Sequence, residues 1–565
     1  MSRIASLPVQ DWRNYSEGAV RVLTALLRTQ YGTQVLRPVQ AVALLNAYAC
    51  RGLWCAGRVG AGKTLICALL PTILAAKRPL LLTKGSLAKE TPDIHSKLRA
   101  HWKIQTNIRI MSYGLLSHRK HERELWDYNP DVIICDEMHM LNHIETASCA
   151  RRMSRFMFER PDKIWNGLSG SPGDDLQQIG PHINWALKGK SPLPLDPDTL
   201  EIWSDIVSDT TEKRGKIRGD IRQLWPHVGQ CETIREAKEL IGNRLFSTPG
   251  IIISTDKFEA GLEMYPVYWH SDQAINTAYH DLRNTWQCPD GWILGDPRLG
   301  VYPIARELCL GFFSGYDPRP PKDWFEARRA WFSCVRWIIS ESDWLDSQKQ
   351  VEDAVIAGRK LFEGMPPDVL IEARRLLAEW QLIEPSFVPK SVTKWISSKP
   401  LEQCAKWGKD GGIIWVHRTA LGEEISRLTG WSFFGAEGLD KQGRFIENVK
   451  EKTIVASVAS CGTGKNLQYN WHRNLFTSMT SSAKEAEQNI GRTHRDGQTK
   501  ETVEVFYGVG CLENIDGLYR AWQKAESIEL EQRSPQKLRL ATIIWPHMGR
   551  GPAFEKTKGS REEKE

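Results

Sequence analysis

No stretch of this 565-residue chain is apolar enough to cross a membrane. The longest apolar run, near Leu65–Ala76, is broken by Pro71 and falls short of the roughly 18 residues a span needs. The N-terminus (MSRIASLPVQDW) lacks an apolar signal core, so a cytoplasmic protein without a membrane partner is expected. Neither sign of charge dominates: 75 Lys and Arg stand against 68 Asp and Glu, a net charge of +7. That balance permits a nucleic-acid partner without requiring one. The twelve cysteines, Cys50 to Cys511, include no C-x-x-C and no Cys/His cluster with zinc spacing. They read as reduced, mostly buried thiols. His139 and His143 are four apart, but no HExxH surrounds them, so zinc is not expected there. Pro367-Asp368 lacks the second acid and lysine of a nuclease, and no internal repeat recurs at a fixed period.

Ordinary globular composition remains: 41% hydrophobic, 25% charged, mean hydropathy −0.41. The length allows about three to five domains. One residue is abundant, with 23 tryptophans. From Leu36 to about Gly189 short apolar runs alternate with helical patterns: Gly52–Cys55, Pro79–Thr83, Ile108–Ser112, Asp131–Asp136 and Ile164–Gly170. That alternation predicts a parallel sheet wrapped by helices. It resumes from Gly411 with Gly412–His417, Trp431–Gly435, Lys452–Ser457, Asn474–Ser478 and Glu501–Tyr507. The expected division is an α/β lobe over 1–189, a linker and helical, Trp-rich insertion over 190–410, a second α/β lobe over 411–548, and a charged disordered tail over 549–565. Within the insertion, Trp324, Trp331 and Trp337 sit close to helical spacing, which favours a small core over base-stacking surfaces.

Three motifs carry chemistry. GRVGAGKT (Gly57–Thr64) follows a short apolar strand and opens an apolar helix, the context of a P-loop. Gly57, Gly60 and Gly62 let backbone N–H groups turn inward around phosphates, and the helix N-terminus adds positive charge. Lys63 would reach the β- and γ-phosphates of ATP, and the Thr64 hydroxyl would bind Mg²⁺. DVIICDEMH (Asp131–His139) delivers two acids at a strand's C-terminal end. Asp136 would hold Mg²⁺ and Glu137 would orient and deprotonate the attacking water. Arg492 and Arg495, within QNIGRTHRDGQ (Gln488–Gln498), are three apart and expected on one helical face, where both could address one anion.

Taken in order, these motifs resemble those of superfamily 2 helicases, and within them the Swi/Snf-like DNA translocases. LRPVQ (Leu36–Gln40) resembles the segment that contacts the adenine, GRVGAGKT motif I, PLLLTKGSL (Pro79–Leu87) motif Ia, and IRIMSY (Ile108–Tyr113) the next strand. DEMH (Asp136–His139) resembles the DExH box, LSGSP (Leu168–Pro172) motif III, IIWVHR (Ile413–Arg418) motif IV, VASCGTGKNLQ (Val458–Gln468) motif V, and QNIGRTHRDGQ motif VI. The resemblance implies two RecA-like P-loop lobes with parallel sheets and a helical insertion between them. It implies an ATP hydrolase moving on single-stranded, duplex or forked DNA, with replication or repair proteins as further partners. Arg37 and Gln40 would then serve the nucleotide, and Gln488, Arg492 and Arg495 would be supplied by the second lobe. Lys84, Ser112, Tyr113, His417, Ser460 and Thr463 would contact DNA, and Lys465 would add charge near the strand.

The departures are Lys465 in motif V, Ser169 and Ser171 in place of threonines in motif III, and an insertion over 286–400 with no counterpart. Without a bromodomain-like or chromodomain-like appendage, the chain looks like a small viral or bacterial member. An RNA helicase usually carries His-Arg-x-Gly-Arg in motif VI, and Gln488 with the terminal Gly-Gln argues against it. A restriction-type motor subunit is a second alternative. A non-enzymatic clamp would need a damaged lysine or acid, and Lys63, Asp136, Glu137, Arg492 and Arg495 are all present.

Overall fold

The computed structural model describes residues 2–546 apart from 59, 209–218, 255–259, 295, 296 and 463, and not the side chains of 86 and 297–299. The tail expected over 549–565 therefore lies outside the described residues. The chain divides into two α/β units. The first comprises Met1–Asp256, Pro320–Val388 and Ser527–Ser534; the second comprises Lys257–Arg319, Pro389–Glu526 and Pro535–Glu565.

The first unit is built on a six-stranded sheet: β1 (Leu53–Ala56), β2 (Pro79–Thr83), β3 (Arg109–Ser112), β4 (Val132–Asp136), β5 (Ile164–Ser169) and β6 (Ile251–Ile253). Its order is β3-β2-β4-β5-β1-β6, and every pairing is parallel. The strands are apolar on both faces because helices cover both. Trp54, Leu80, Leu82, Ile133 and Cys135 enter one core. Their neighbours Leu53, Cys55, Leu81, Val132 and Ile134 enter the other. Register places Asp136 opposite Leu168, so the acids and the LSGSP segment emerge side by side at the carboxyl end.

Part of the Trp-rich insertion belongs to this unit. Helices Lys322–Glu341, Gln348–Ile356 and Pro367–Ile383 enclose a small core of their own around Trp324, Trp331 and Trp380. Trp331 is fully buried, and the Trp324 and Trp380 rings meet edge-on at 5.3 Å. A buried ion pair ties this core to helix Ser148–Glu159. Arg152 donates from Nε (3.0 Å) and Nη2 (2.8 Å) to the two carboxylate oxygens of Asp346. Both side chains are all but inaccessible, at 0% and 1%. Arg152 Nη1 also donates to the carbonyls of Leu116 (2.6 Å) and His118 (2.8 Å), and Arg155 pairs with the same carboxylate.

The second unit begins well before Gly411. Its strands are β7 (Gly261–Tyr268), β8 (Phe312–Tyr316), β9 (Ser391–Trp395), β10 (Gly412–Val416), β11 (Phe433–Phe434), β12 (Thr453–Ser457), β13 (Arg473–Phe476), β14 (Thr502–Val509) and β15 (Thr542–Ile543). Seven form a parallel sheet in the order β11-β12-β10-β13-β14-β7-β15, while β8 and β9 pair antiparallel apart from it. Strand β7 lies along all of β14, from Gly261 opposite Thr502 to Tyr268 opposite Val509. Residues 190–410, expected as one linker and insertion, are thus shared out: 190–256 and 320–388 belong to the first unit, while 257–319 and 389–410 belong to the second.

The Arg152–Asp346 pair generates a prediction. Asp346→Ala leaves a guanidinium buried with its charge uncompensated, and removing one partner of such a pair costs about 3–5 kcal/mol. Chemical denaturation should show that loss, and limited proteolysis should cut the Lys322–Ile383 region first. Unchanged stability would mean the pair does not hold the helical core in place.

Candidate functional site

The turn after β1 is shaped by glycine. Gly60 (φ 96°) and Gly62 (φ 76°) both occupy the left-handed region, and Gly62 caps helix Lys63–Ile73. Position 62 cannot carry a side chain for a second reason: a Cβ there would stand 2.2 Å from Gln40 Nε2. Gln40, buried in the first turn of helix Pro38–Cys50, donates to the carbonyls of Ala61 (3.2 Å) and Gly62 (3.4 Å). Arg37 Nη1 donates to the Gly60 carbonyl at 3.0 Å. Arg37 and Gln40 thus brace the loop's backbone. The Lys63 ammonium lies inside the turn, donating to the carbonyls of Gly57 (2.9 Å) and Arg58 (3.3 Å). An anion entering the turn would compete with those carbonyls. Thr64 is exposed, and its hydroxyl makes no hydrogen bond among the described residues.

Asp136 and Glu137 stand at the carboxyl end of β4. Thr83 Oγ1 donates to Asp136 Oδ2 at 3.4 Å, and the Tyr113 hydroxyl donates to the Asp136 carbonyl at 2.9 Å. Glu137 takes the left-handed conformation (φ 58°, ψ 52°), sparsely populated by non-glycine residues and enriched at functional sites. Its Oε2 accepts from Ser169 Oγ at 3.3 Å and lies 3.2 Å from His139 Nδ1. Ser169 Oγ also lies 2.9 Å from His139 Nδ1 and accepts from Ser171 N at 3.2 Å. With the Ser169 hydroxyl proton given to Glu137, His139 must carry its own proton on Nδ1.

The two carboxyls are pushed apart. Burial raises Asp136, the adjacent Glu137 charge raises it further, and with Lys63 and Thr83 pulling the other way it settles at about 7. Burial also works against Glu137, but the His139 hydrogen bond and the charges of Lys63 and Lys84 outweigh it, holding this carboxyl well below its ordinary range. One group is therefore an easily protonated acid and the other a persistent carboxylate, and the P-loop-like lysine acts on both.

The oxygen donors here suit a hard divalent cation. Among the described residues no three His, Cys, Asp or Glu side chains cluster closely enough to hold a metal by themselves. Were such an ion to bind at this place, the Thr64 hydroxyl and the Asp136 carboxylate are the side-chain oxygens that would hold it.

In the second unit, helix Ala483–Ile490 carries Gln488, which is buried. The helix stops there, so Arg492 and Arg495 sit in the following turns and not on one helical face. A backbone oxygen brings them together instead: Arg492 Nη1 (3.1 Å) and Arg495 Nη1 (3.3 Å) both donate to the Lys465 carbonyl. Arg492 Nε additionally donates to the Gln488 carbonyl at 2.9 Å. The VASCGTGKNLQ segment lies against this region closely, since a Cβ on Gly462 would stand 2.3 Å from Asn489 Oδ1.

The residues expected to meet DNA are placed diversely. Lys84 is half-buried at the end of β2, its charge felt by Glu137. Ser112 and Tyr113 are buried. Ser112 Oγ accepts from Leu115 N and caps a short helix, so both support the fold and the acid strand, not a strand-facing surface. Lys465 is also buried, its ammonium 3.6 Å from Glu447 and over the Phe445 ring, because the apolar surroundings demand a partner for the charge. His417 is exposed at the end of β10, with Nε2 2.9 Å from the Ser478 carbonyl. Ser460 is half-buried, and Thr463 lies outside the described residues. The role of His139 as partner of Glu137 went unread in the sequence; its one signal is its place two residues after the acid, in the DExH pattern.

Compared with known protein families and with curated proteins, the chain matches neither a family model nor a curated protein.

The raised Asp136 makes a signed prediction. A carboxyl whose folded pKa lies above its unfolded one favours the fold below the unfolded value and loses that contribution as pH rises through about 7. Asp136→Asn removes the cost of burying the charge. It should raise the melting temperature of the ligand-free protein at pH 8 and raise it distinctly less at pH 5, where only part of the penalty has accrued. An equal effect at both pH values would show that Asp136 is not held protonatable.

Proposed function

We propose that the chain is an ATP-dependent DNA translocase or helicase whose two α/β units are RecA-like lobes of the superfamily 2 type. The observation that carries this reading is the single electrostatic cluster in the first unit. The lysine of a glycine turn, at the N-terminus of a helix, acts on an adjacent pair of acids at the end of β4, a parallel strand separated from β1 by β5 alone. That combination suits phosphate capture by Lys63 and the loop amides. Thr64 and Asp136 would hold magnesium, which would neutralise charge on the phosphates. Glu137, a carboxylate that stays ionised and is oriented by Ser169 and His139, suits the task of taking a proton from water. Gln488, Arg492 and Arg495 are assigned to the phosphate transfer on the strength of the motif VI resemblance. His417 and Ser460 are the accessible candidates for DNA phosphates. Replication, repair or recombination is the setting this activity suits.

The test is turnover. Lys63→Ala should abolish ATP hydrolysis, and Glu137→Gln should leave ATP binding intact while hydrolysis collapses. DNA should stimulate the wild-type rate, and the stimulation should weaken as salt rises because phosphate contacts release counterions. Near-wild-type turnover by Glu137→Gln, or a rate indifferent to every nucleic acid, would defeat the proposal. An RNA-only response would move the protein to the RNA helicases.

Arg495 gives a sharper outcome. If it stabilises charge on the transferring phosphoryl group, Arg495→Ala should lower kcat by about 10³-fold, with a smaller effect on ATP affinity. Arg495→Lys should rescue poorly, because an ammonium lacks the planar fork. Retention of most DNA-stimulated turnover by Arg495→Ala would remove this arginine from the mechanism.

A further inference from the structure

A second site stands apart from the residues assigned to ATP. A cavity of about 240 Å³ opens in the second unit where β10 and β13 end: His417 and Arg418 follow one strand, Thr477 and Ser478 the other. Ligands of parallel sheets bind at these carboxyl ends. Here the opening is walled by residues from the stretch before the helical core, Arg306, Glu307 and Phe312 among them.

Its polar side has more cation than it consumes. Glu307 is buried and engaged at both oxygens, accepting from Arg418 Nε at 2.6 Å and from Ser314 N at 2.7 Å. That pair leaves the Nη groups of Arg418 without a hydrogen bond among the described residues. Arg306 is held by its Nε, which donates to Asn514 Oδ1 at 3.2 Å, and its Nη2 is buried with no hydrogen-bond partner. Gly517 leaves room for that guanidinium, since a Cβ there would stand 3.2 Å from Nη2. Two guanidiniums, Arg306 and Arg418, thus line the cavity with a single carboxylate, Glu307. A buried N–H without an acceptor costs free energy until an acceptor arrives. The remaining wall, Pro303, Phe312 and Leu421, is apolar.

We propose that this cavity binds a nucleotide through a terminal phosphate: Arg306 and Arg418 take the phosphomonoester oxygens, and the apolar wall takes the sugar or base. A dianionic phosphomonoester matches two planar forks better than a singly charged diester does. The same chemistry is offered by a free nucleoside monophosphate and by the 5′-phosphorylated end of a strand.

The experiment uses the full chain carrying Lys63→Ala, which disables capture at the glycine turn. Binding of thymidine 5′-monophosphate, of a short 5′-phosphorylated oligonucleotide and of its 5′-hydroxyl twin is measured by calorimetry at low salt. We expect the monophosphate to bind, or the phosphorylated oligonucleotide to bind more tightly than its twin. The first result identifies a free nucleotide and the second a strand end. Arg306→Gln and Arg418→Gln should each weaken that binding by about tenfold or more, the cost of a charge-assisted contact. Leu421→Trp, which fills the cavity without removing charge, should do the same, and covers the case in which an arginine variant fails to melt like its parent. The proposal is overturned if the monophosphate does not bind and the two oligonucleotides bind alike, or if binding survives all three substitutions. None of these readings involves ATP turnover, so the two proposals fail separately.

Discussion

Two neighbouring carboxyls at the end of one buried strand cannot both ionise cheaply, and the first unit is organised around that difficulty. Asp136 yields, moving up to about 7, while Glu137 keeps its charge. Keeping it takes several elements: Lys63 from the helix after β1, Lys84 after β2, His139 beyond β4 and Ser169 at the end of β5. The parallel order β2-β4-β5-β1 is what lets those strands end together. Move one strand's register and the support fails. The sheet is therefore more than a scaffold: its order is the condition for splitting one acid pair into two chemical roles.

Much of this was legible in the sequence because burial on both faces leaves a distinctive mark. Runs such as Pro79–Thr83 and Asp131–Asp136 coincide with β2 and β4 almost residue for residue. The glycine turn was legible too, since positive φ at Gly60 and Gly62 is a demand few residues meet. What pattern cannot report is partnership across long separations. Nothing in the residues of β7 announces that it lies along β14, more than two hundred positions away. The tryptophans show the same limit: helical spacing indicated a core around Trp324 and Trp331, but long-range contacts such as the Arg152–Asp346 pair fix the unit to which that core belongs.

Local periodicity also misled in one place. Arg492 and Arg495 are spaced as if on a helix, but the helix ends at Ile490 and the side chains converge by another route. Ser112 and Tyr113 illustrate a related ambiguity. Hydroxyls after a strand suit phosphate contact and suit backbone capping equally, and burial decides for the second. Lys465 adds a third case, because a charge that looks available in a glycine-rich segment is consumed by Glu447 and the face of Phe445.

The shared acceptor of the two arginines has a mechanical consequence. A carbonyl oxygen has two lone pairs, and at Lys465 both are occupied by guanidinium N–H groups. The legs of this stance are unequal. Arg492 is buried and tied a second time to the Gln488 carbonyl. Arg495 is half-buried and its Nε has no partner. Were an outside anion to draw Arg495 away, the oxygen would still hold Arg492, which keeps its second tie to the Gln488 carbonyl. One arginine is placed as a hinge pin and the other as a latch, free to swing without the frame being rebuilt.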